Sequence, residues 1–436
     1  MNETLFHSLG QSQTADAERP LRIAFFTETF LPKIDGVVTR LCQTVRHLQA
    51  FGHTVLVVAP DGKIAEHEGA RIHGVPGPPF PLYPDLKMAF PRPSIGEALA
   101  EFRPDLIHTA QPMLLGSSAF YYSSQYRVPL VISYHAQVDR YLHYYGIGML
   151  EPLFWKAHKT AYNGADLVLC TSQVMVDLLK RQGIRRVELW QRGVDTETFR
   201  PELASPAMRV RLTEGHPEEK LLLYVGRLSA EKSLEAARPI LAAVPGLRLA
   251  LVGDGPHREK LQRHFVGTPI YFAGYLTGAE LAAAYASADI FFMPSRTETL
   301  GLVALEAMAA GTPVVAVAEG GLLDIVRDGV TGHLYAYGSQ TAAVGAVQKL
   351  LSDPVHYHQM RRAARLDAEQ WSWSAATRQL EGFYRGVLSR ERGLPSRIAE
   401  RNAAGASTDD ICDALQISKA TFRRQSRLAA ASNARH

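Results

Sequence analysis

RIAFFTETFLPKIDGVVTRLCQTVRHLQAFGHTVLVVAP, residues 22–60, changes its periodicity twice. RIAFFTETF is an almost unbroken apolar run, as expected of a strand covered on both faces. LPKIDG, residues 31–36, is a polar loop. In VVTRLCQTVRHLQAFG, Val37, Leu41, Val45 and Leu48 recur on one helical face, and Gly52 ends the pattern as a C-cap glycine does. TVLVVAP is a second strand. Strand, helix and strand in about 40 residues form a βαβ unit with a right-handed crossover.

The pattern repeats outward from this unit. DLIH (105–108), PLVISY (129–134) and DLVLC (166–170) read as further parallel strands. Residues 74–93 are rich in proline and are expected to form an ordered surface loop. A second series starts at Leu221, where LLLYVG, LRLALVG, IYFAG, ADIFFMP and PVVAV are short strands at helix-length intervals. The polar stretch 191–217 suits a connection between two domains. The fold class is therefore α/β, with two doubly wound domains in series. The expected divisions are 1–20, a disordered lead-in; 21–200, an N-terminal domain; 201–370, a C-terminal domain; 371–388, a helix beginning at Trp371 and Trp373; and 389–436, a tail.

A chain of 436 residues is too long for one ordinary core. With 46% apolar and 21% charged residues it has the balance of a soluble globular protein. No apolar run reaches the roughly 20 residues of a membrane-spanning helix, and residues 1–20 lack the apolar core of a signal peptide. Cys42, Cys170 and Cys412 are far apart, which suggests neither a disulfide framework nor a zinc site. A cytoplasmic location is expected. Of 47 Lys/Arg and 43 Asp/Glu, nine and five lie in 389–436, so the net charge of +4 belongs to the tail.

An open α/β sheet binds its ligand beyond the carboxyl ends of its strands. LLLYVG runs into GRLSAEK, where Arg227 and Lys232 can neutralise a diphosphate, or can be ordinary surface cations. LALVG runs into GDGP, whose glycines permit close approach of a ligand or simply make a turn. No GxGxxG follows the first strand, which weakens a dehydrogenase reading. ADIFFMP runs into SRTETLGLVALEAMAAGTPVVA. Here a helix is expected to begin near Thr299, with free N–H groups suited to phosphate and Gly301 allowing close approach. Glu298 and Glu306 stand eight residues apart, about two turns, and could accept hydrogen bonds from sugar hydroxyls. In the N-terminal half, SYHAQVDRY places His135 at a sheet edge, as a hydroxyl partner, an acid–base group or a structural imidazole. The loop with Lys33, Asp35 and Gly36 faces the same crevice.

Together these features resemble the retaining glycosyltransferases of the large family that includes sucrose, glycogen and phosphatidylinositol-mannoside transferases. The resemblance covers residues 22–387 and rests on the Glu298/Glu306 pair, GRLSAEK and EGGLLDIVRDGVTGHL (319–334). Within the family, TETFLPKIDGVVTRL, RIHGVPG, LWQRGVDTETF, YVGRLSAEK and SRTETLGLV look like the sulfoquinovosyltransferase branch. The resemblance implies a GT-B fold: two Rossmann-like domains facing across a cleft, here with a small helical tail. It implies transfer of a sugar, sulfoquinovose, from a UDP donor to diacylglycerol at the inner face of the membrane, with no metal or other cofactor required. It implies that Arg227 and Lys232 hold the diphosphate and that Glu306 binds the ribose. Glu298 would bind the transferred sugar, and main-chain groups of Thr299, Leu300, Gly301 and Leu302 would cover the phosphates. His135 would contact the sugar from the opposite domain. Gly36 would admit the first loop to the phosphates, and Tyr275 and Leu276 would frame the base. Lys33 and Arg140 flank the cleft and are the candidates for a sulfonate.

Other readings stay open. The donor could be GDP-mannose, UDP-glucose or UDP-glucuronate, and the fold also hosts nucleotide-sugar epimerases. The tail segment ASTDDICDALQISKATFRRQSR (406–427) resembles the helix-turn-helix of site-specific recombinases, with Thr408 starting the first helix and Ser418 capping the second. Lys419, Arg423, Arg424 and Arg427 could contact nucleic-acid phosphates, or the tail could be a basic end docked on protein or anionic lipid. MLLGSSAFYYSSQYR (113–127) and WKAHK (155–159) mix aromatic, apolar and basic residues, as a lipid-facing surface or as ordinary core helices.

Overall fold

The computed structural model describes residues 19–33, 35–80, 83–135, 148–415, 417 and 419–433. The lead-in, apart from its last two residues, and Arg140 and Ser418 lie outside them.

Among the described residues ten strands belong to the first domain: β1 (Arg22–Thr27), β2 (Thr54–Pro60), β3 (Glu66–His67), β4 (Ala70–Val75), β5 (Pro79–Phe80), β6 (Tyr83–Lys87), β7 (Leu106–Ala110), β8 (Leu130–Tyr134), β9 (Leu167–Cys170) and β10 (Val187–Leu189). Eight form one sheet, in the order β10-β9-β8-β7-β1-β2-β4-β3, parallel except for β3. β1 lies between β2 and β7, with Ile23, Ala24, Phe25 and Phe26 fully buried. The helix Gly36–Ala50 follows β1. Asp35 caps it by accepting from the Val37 and Val38 amides at 3.0 Å, and Gly52 beyond it has φ +87°.

The second sheet is wholly parallel: β13-β12-β11-β14-β15-β16, with β11 (Lys220–Val225), β12 (Leu247–Val252), β13 (Ile270–Gly274), β14 (Ile290–Met293), β15 (Val314–Val317) and β16 (Gly332–Tyr335). In both sheets the order reverses beside the first strand, which makes the switch-point crevice of a doubly wound fold. The polar stretch 191–217 is not all connection, because the helix Pro206–Leu212 packs Met208 and Leu212 into the second core.

Residues 74–93 are more regular than expected. They begin with the end of β4 and contain the β5–β6 hairpin, with Gly77 where a Cβ would stand 2.3 Å from the Met88 carbonyl oxygen. Proline is tolerated there because the hairpin stands apart from the main sheets.

The helix that starts at Trp373 runs for 31 residues to Ala403, continuous through Leu388 and Ser389. It returns to the first domain, where Leu380, Tyr384 and Val387 are buried in the core under β1 and β2. Its far end joins the helices Thr408–Leu415 and Lys419–Asn433 around Leu394, Ile398, Ile411, Cys412 and Ile417. Arg424 does not present its charge to a partner molecule. It is buried, donating to Asp166 at 3.1 Å and to the Val128 carbonyl at 3.2 Å, and Thr421 also donates to Asp166. Lys419 pairs with Asp409 at 2.6 Å, and Arg423 is exposed. Of the basic side chains expected to face phosphates, one therefore docks the tail on the body. The Arg427 side chain lies outside those described.

Candidate active site

On the second domain the site is assembled by three loops. The loop after β11 carries Arg227 and Lys232, with the Arg227 carbonyl accepting from Tyr224 Oη at 3.0 Å. The loop after β12 packs directly beneath it: a Cβ at Gly253 would stand 2.1 Å from the Gly226 carbonyl oxygen, and one at Gly255 2.3 Å from that of Leu228. The GDGP glycines thus serve contact between loops. The third loop follows β14. Its helix begins at Leu302, three residues later than expected, because Gly301 takes φ +65° and turns the chain into it. EGG (319–321) forms a floor, where a Cβ at Gly321 would stand 2.1 Å from the Thr299 carbonyl oxygen and the Gly321 amide donates to the Glu298 carbonyl at 2.8 Å.

Glu298 joins two of these loops. One carboxylate oxygen is 3.2 Å from Lys232 Nζ and the other accepts the Gly301 amide at 2.9 Å. Burial alone would raise its carboxyl. Lys232, the Gly301 amide and Arg192 outweigh that and hold it below its usual range, so it is an anion ready to accept. Glu298 itself takes one of the amides expected to meet a phosphate. Two turns further on, Glu306 accepts Tyr285 Oη at 2.8 Å, and burial pushes its carboxyl up to about 7 against that bond. Beyond β13, Tyr275 is 74% exposed, whereas Leu276 is buried in the core and can offer only its backbone.

The first domain brings two residues to the same loop. A Cβ on Gly36 would lie 3.8 Å from the Leu302 side chain. The His135 carbonyl accepts the Thr299 hydroxyl. His135 is not at a sheet edge: it follows β8, an interior strand, and is buried with its backbone amide on Gln111 Oε1 at 2.8 Å. Lys33 is 2.9 Å from Asp35, the helix cap.

Three residues of this junction carry no sign of their role in the sequence. Arg192 is buried and donates to Gly321 O (3.0 Å), Thr171 O (2.8 Å) and Asp324 (3.0 Å). Asp324 also accepts the Gln173 amide of the first domain at 2.8 Å. Together with Trp371 they line a cavity of about 250 Å³. Arg40, fully buried, lies 3.6 Å over the Trp190 ring and donates to the Trp190 and Gln191 carbonyls. A buried cation held by backbone carbonyls and a ring face leaves no periodicity signal from which it could be foreseen.

The family models of Glycosyltransferase Family 4 and Glycosyl transferases group 1 match residues 34–198 and 211–367. The chain belongs to the group 1 glycosyltransferases. It is 38% identical over 371 residues to a sulfoquinovosyl transferase of Arabidopsis thaliana, covering 83% of this chain and 73% of the relative. It is 33% identical over 385 residues to a GDP-mannose-dependent alpha-mannosyltransferase of Corynebacterium glutamicum, covering 86% and 92%. It is 30% identical over 350 residues to an alpha-monoglucosyldiacylglycerol synthase of Streptococcus pneumoniae, covering 77% and 79%. Among solved structures, sucrose-phosphate synthase from Thermosynechococcus elongatus superposes with a TM-score of 0.71 at 25% identity, covering 84% of this chain and 99% of that one. The glycosyltransferase fold is GT-B, and the chain is a glycosyltransferase.

Proposed function

We propose that this glycosyltransferase moves sulfoquinovose from UDP-sulfoquinovose to diacylglycerol with retention at the anomeric carbon, giving an anionic glycolipid. The observation that carries the reading is the 38% identity to a sulfoquinovosyl transferase over 371 residues spanning both domains. The relative named for monoglucosyldiacylglycerol supports a lipid acceptor. In this reading Arg227, Lys232 and the backbone from Thr299 to Leu302, apart from the Gly301 amide that Glu298 takes, stabilise the departing diphosphate. Glu298 accepts from the sugar hydroxyls, Glu306 from the ribose, and Tyr275 stacks on the base. Gly36 and His135 close the site from the other domain. The acceptor hydroxyl oxygen bonds to the anomeric carbon on the face that the diphosphate oxygen leaves, and its proton passes to that departing oxygen. Lys33 and Arg140 attract the sulfonate, with Lys33 shared with Asp35. The cations and the helix start supply the charge that a metal would otherwise bring, so turnover survives EDTA.

The deciding experiment incubates the purified chain and diacylglycerol vesicles with UDP-sulfoquinovose, GDP-mannose, UDP-glucose or UDP-glucuronate. Mass analysis identifies the lipid product and its proton spectrum the anomer. Transfer of sulfoquinovose with the α-configuration kept supports the proposal. Transfer of mannose alone would move the chain to the second reading, which its mannosyltransferase relative favours. Product formed without any acceptor would sink both.

Glu306 sets a pH dependence. Its carboxyl sits at about 7, and the ionised form is the better acceptor for two ribose hydroxyls. As pH rises from 6 to 8 the carboxylate forms, so UDP affinity should increase. Calorimetric titration of UDP should show this rise, and Glu306→Gln should flatten it.

Association with the inner membrane face rests on apolar side chains exposed on the first domain. Met149 is 87% exposed, and Leu153 and Met113 are also open to solvent, with Lys156 and Lys159 close in sequence. The turn bearing Met113 and Leu114 is held by Glu28, whose carboxylate accepts the amides of Met113, Leu114, Leu115 and Gly116 at 2.8–3.2 Å. Among the described residues no helix is long and apolar enough to cross a membrane. Replacing Met149 and Leu153 together by glutamate should weaken sedimentation with anionic diacylglycerol vesicles by about 10²- to 10⁴-fold, given about 1.5–3 kcal/mol for each buried side chain. Unchanged sedimentation would exclude this face.

A further inference from the structure

Four buried side chains form one hydrogen-bonded line from the return helix to the junction of the domains. Tyr384 Oη is 2.6 Å from His108 Nδ1, His108 Nε2 is 2.9 Å from Ser133 Oγ, and Ser133 Oγ is 2.7 Å from His135 Nε2. All four residues are buried, none more than 2% exposed. Among the described residues the Tyr384 hydroxyl has His108 as its partner, and Ser133 Oγ has the two imidazoles. His135 Nδ1 has none.

With both protons on Nδ1 the serine would face two lone pairs and one bond would be lost; three arrangements keep all three hydrogen bonds. In the first, both imidazoles donate through Nε2 to Ser133 Oγ, and the serine proton has no acceptor. In the second, His135 Nε2–H donates to Ser133, Ser133 to His108 Nε2, and His108 Nδ1–H to Tyr384, which strands the tyrosine proton. In the third, Tyr384 donates to His108 Nδ1, His108 Nε2–H to Ser133, and Ser133 to His135 Nε2. Every proton within the line then has an acceptor, and only this order places the remaining imidazole proton on His135 Nδ1. The first two orders each leave a buried hydroxyl proton without an acceptor and the His135 Nδ1 lone pair without a donor, whereas the third leaves only the His135 Nδ1–H, which a ligand oxygen can accept, so the third order prevails. The rings are held in place: His108 packs against Phe25 and Trp190, and His135 meets the edge of Trp190. Burial, reinforced by Arg40, keeps both imidazoles neutral, with His108 pushed down to about 3.

We propose that Tyr384, through His108 and Ser133, fixes His135 as the Nδ1–H tautomer, so that His135 can only donate to a ligand oxygen that accepts. Tyr384, His108 and Ser133 are positioning residues. Tyr384 reaches this line from about 250 positions downstream of His135, carried there by the return helix that packs on the first domain's core. The tautomer does not depend on the transferase reading. Only the identity of the ligand oxygen, on the donor sugar or its anionic substituent, rests on that reading.

The test is a two-bond ¹⁵N–¹H correlation spectrum of the full chain labelled at histidine, with the two signals assigned by His108→Asn and His135→Asn. The expected pattern is opposite tautomers: Nε2–H at His108 and Nδ1–H at His135. Nε2–H at His135, with either tautomer at His108, overturns the proposal. Tyr384→Phe should mix the two tautomers at His135 and lower kcat/KM about tenfold, the value of one hydrogen bond. An unmixed Nδ1–H in that variant would remove Tyr384 from the role. Should Tyr384→Phe fail to fold, Ser133→Ala breaks the same line in the middle and is read in the same way. A correct tautomer in a chain that transfers no sugar would sink the proposed function and leave the relay standing.

Discussion

Lys232→Ala should lower turnover by about 10²- to 10³-fold, the usual cost of removing one preorganised charge from a site where negative charge develops. Two losses combine in this variant. The ammonium expected on the departing diphosphate disappears. Glu298 also loses the cation 3.2 Å from its carboxylate and keeps only the Gly301 amide and the field of Arg192 against its burial. Its carboxyl then rises, and at neutral pH a fraction becomes protonated and accepts hydroxyls poorly. The activity remaining in Lys232→Ala should therefore climb more steeply with pH than that of the wild type. Arg227→Ala lacks the second loss and should be slower without the steeper profile. Steady-state rates from pH 6 to 9 separate the two. Near-wild-type turnover in both variants would refute the site.

Asp166→Ala should destabilise the chain by about 3–5 kcal/mol, because it leaves a buried guanidinium without its anion. Asp166 and Arg424 are both under one-tenth exposed at the side chain. Asp166 also receives the Leu130 amide at 2.9 Å, so the start of β8 loosens with the tail. Replacing both partners by apolar residues, as in Asp166→Leu with Arg424→Leu, should recover only part of the loss, since the guanidinium at 424 goes with its anion while Arg186 still loses the support of Asp166. Urea unfolding followed by tryptophan fluorescence measures both. Equal stability of Asp166→Ala and the wild type would show that the tail is not docked. The same geometry bears on nucleic acid: a helix whose Arg424, Thr421 and Gln425 face the protein has less of its surface left for a duplex.

The strands that carry the site could be read because parallel strands covered on both faces are nearly continuous apolar runs. β1, β2, β11, β12 and β14 all have this form. β4 could not, because Arg71 and His73 interrupt ARIHGV and only three of its residues are buried. β10 spans three residues, too few to show a period, and β16 reads GHLY, where glycine and histidine break the apolar run that IFFM of β14 keeps. Glu298, Lys232 and Gly301 were legible because each follows a strand, where the fold places its ligands. Their mutual contacts were not, since 66 positions separate the lysine from the glutamate. Arg424 reads as one more cation on a basic face. Nothing local distinguishes it from Arg423, and only the position of Asp166 in space does.

The return helix has a bearing on synthesis. Leu380, Tyr384 and Val387 complete a core whose other members start at Leu21, so the first domain is made from both ends of the chain. The second domain, by contrast, draws its core from Val194 to Ala368. On the ribosome the usual order is therefore inverted: the later-encoded domain can close while the earlier one still waits for its last helix. Until residues near 390 emerge, the face of β1 and β2 that the helix covers stays open. The nascent chain must hold that apolar surface apart from its neighbours through the translation of an entire second domain.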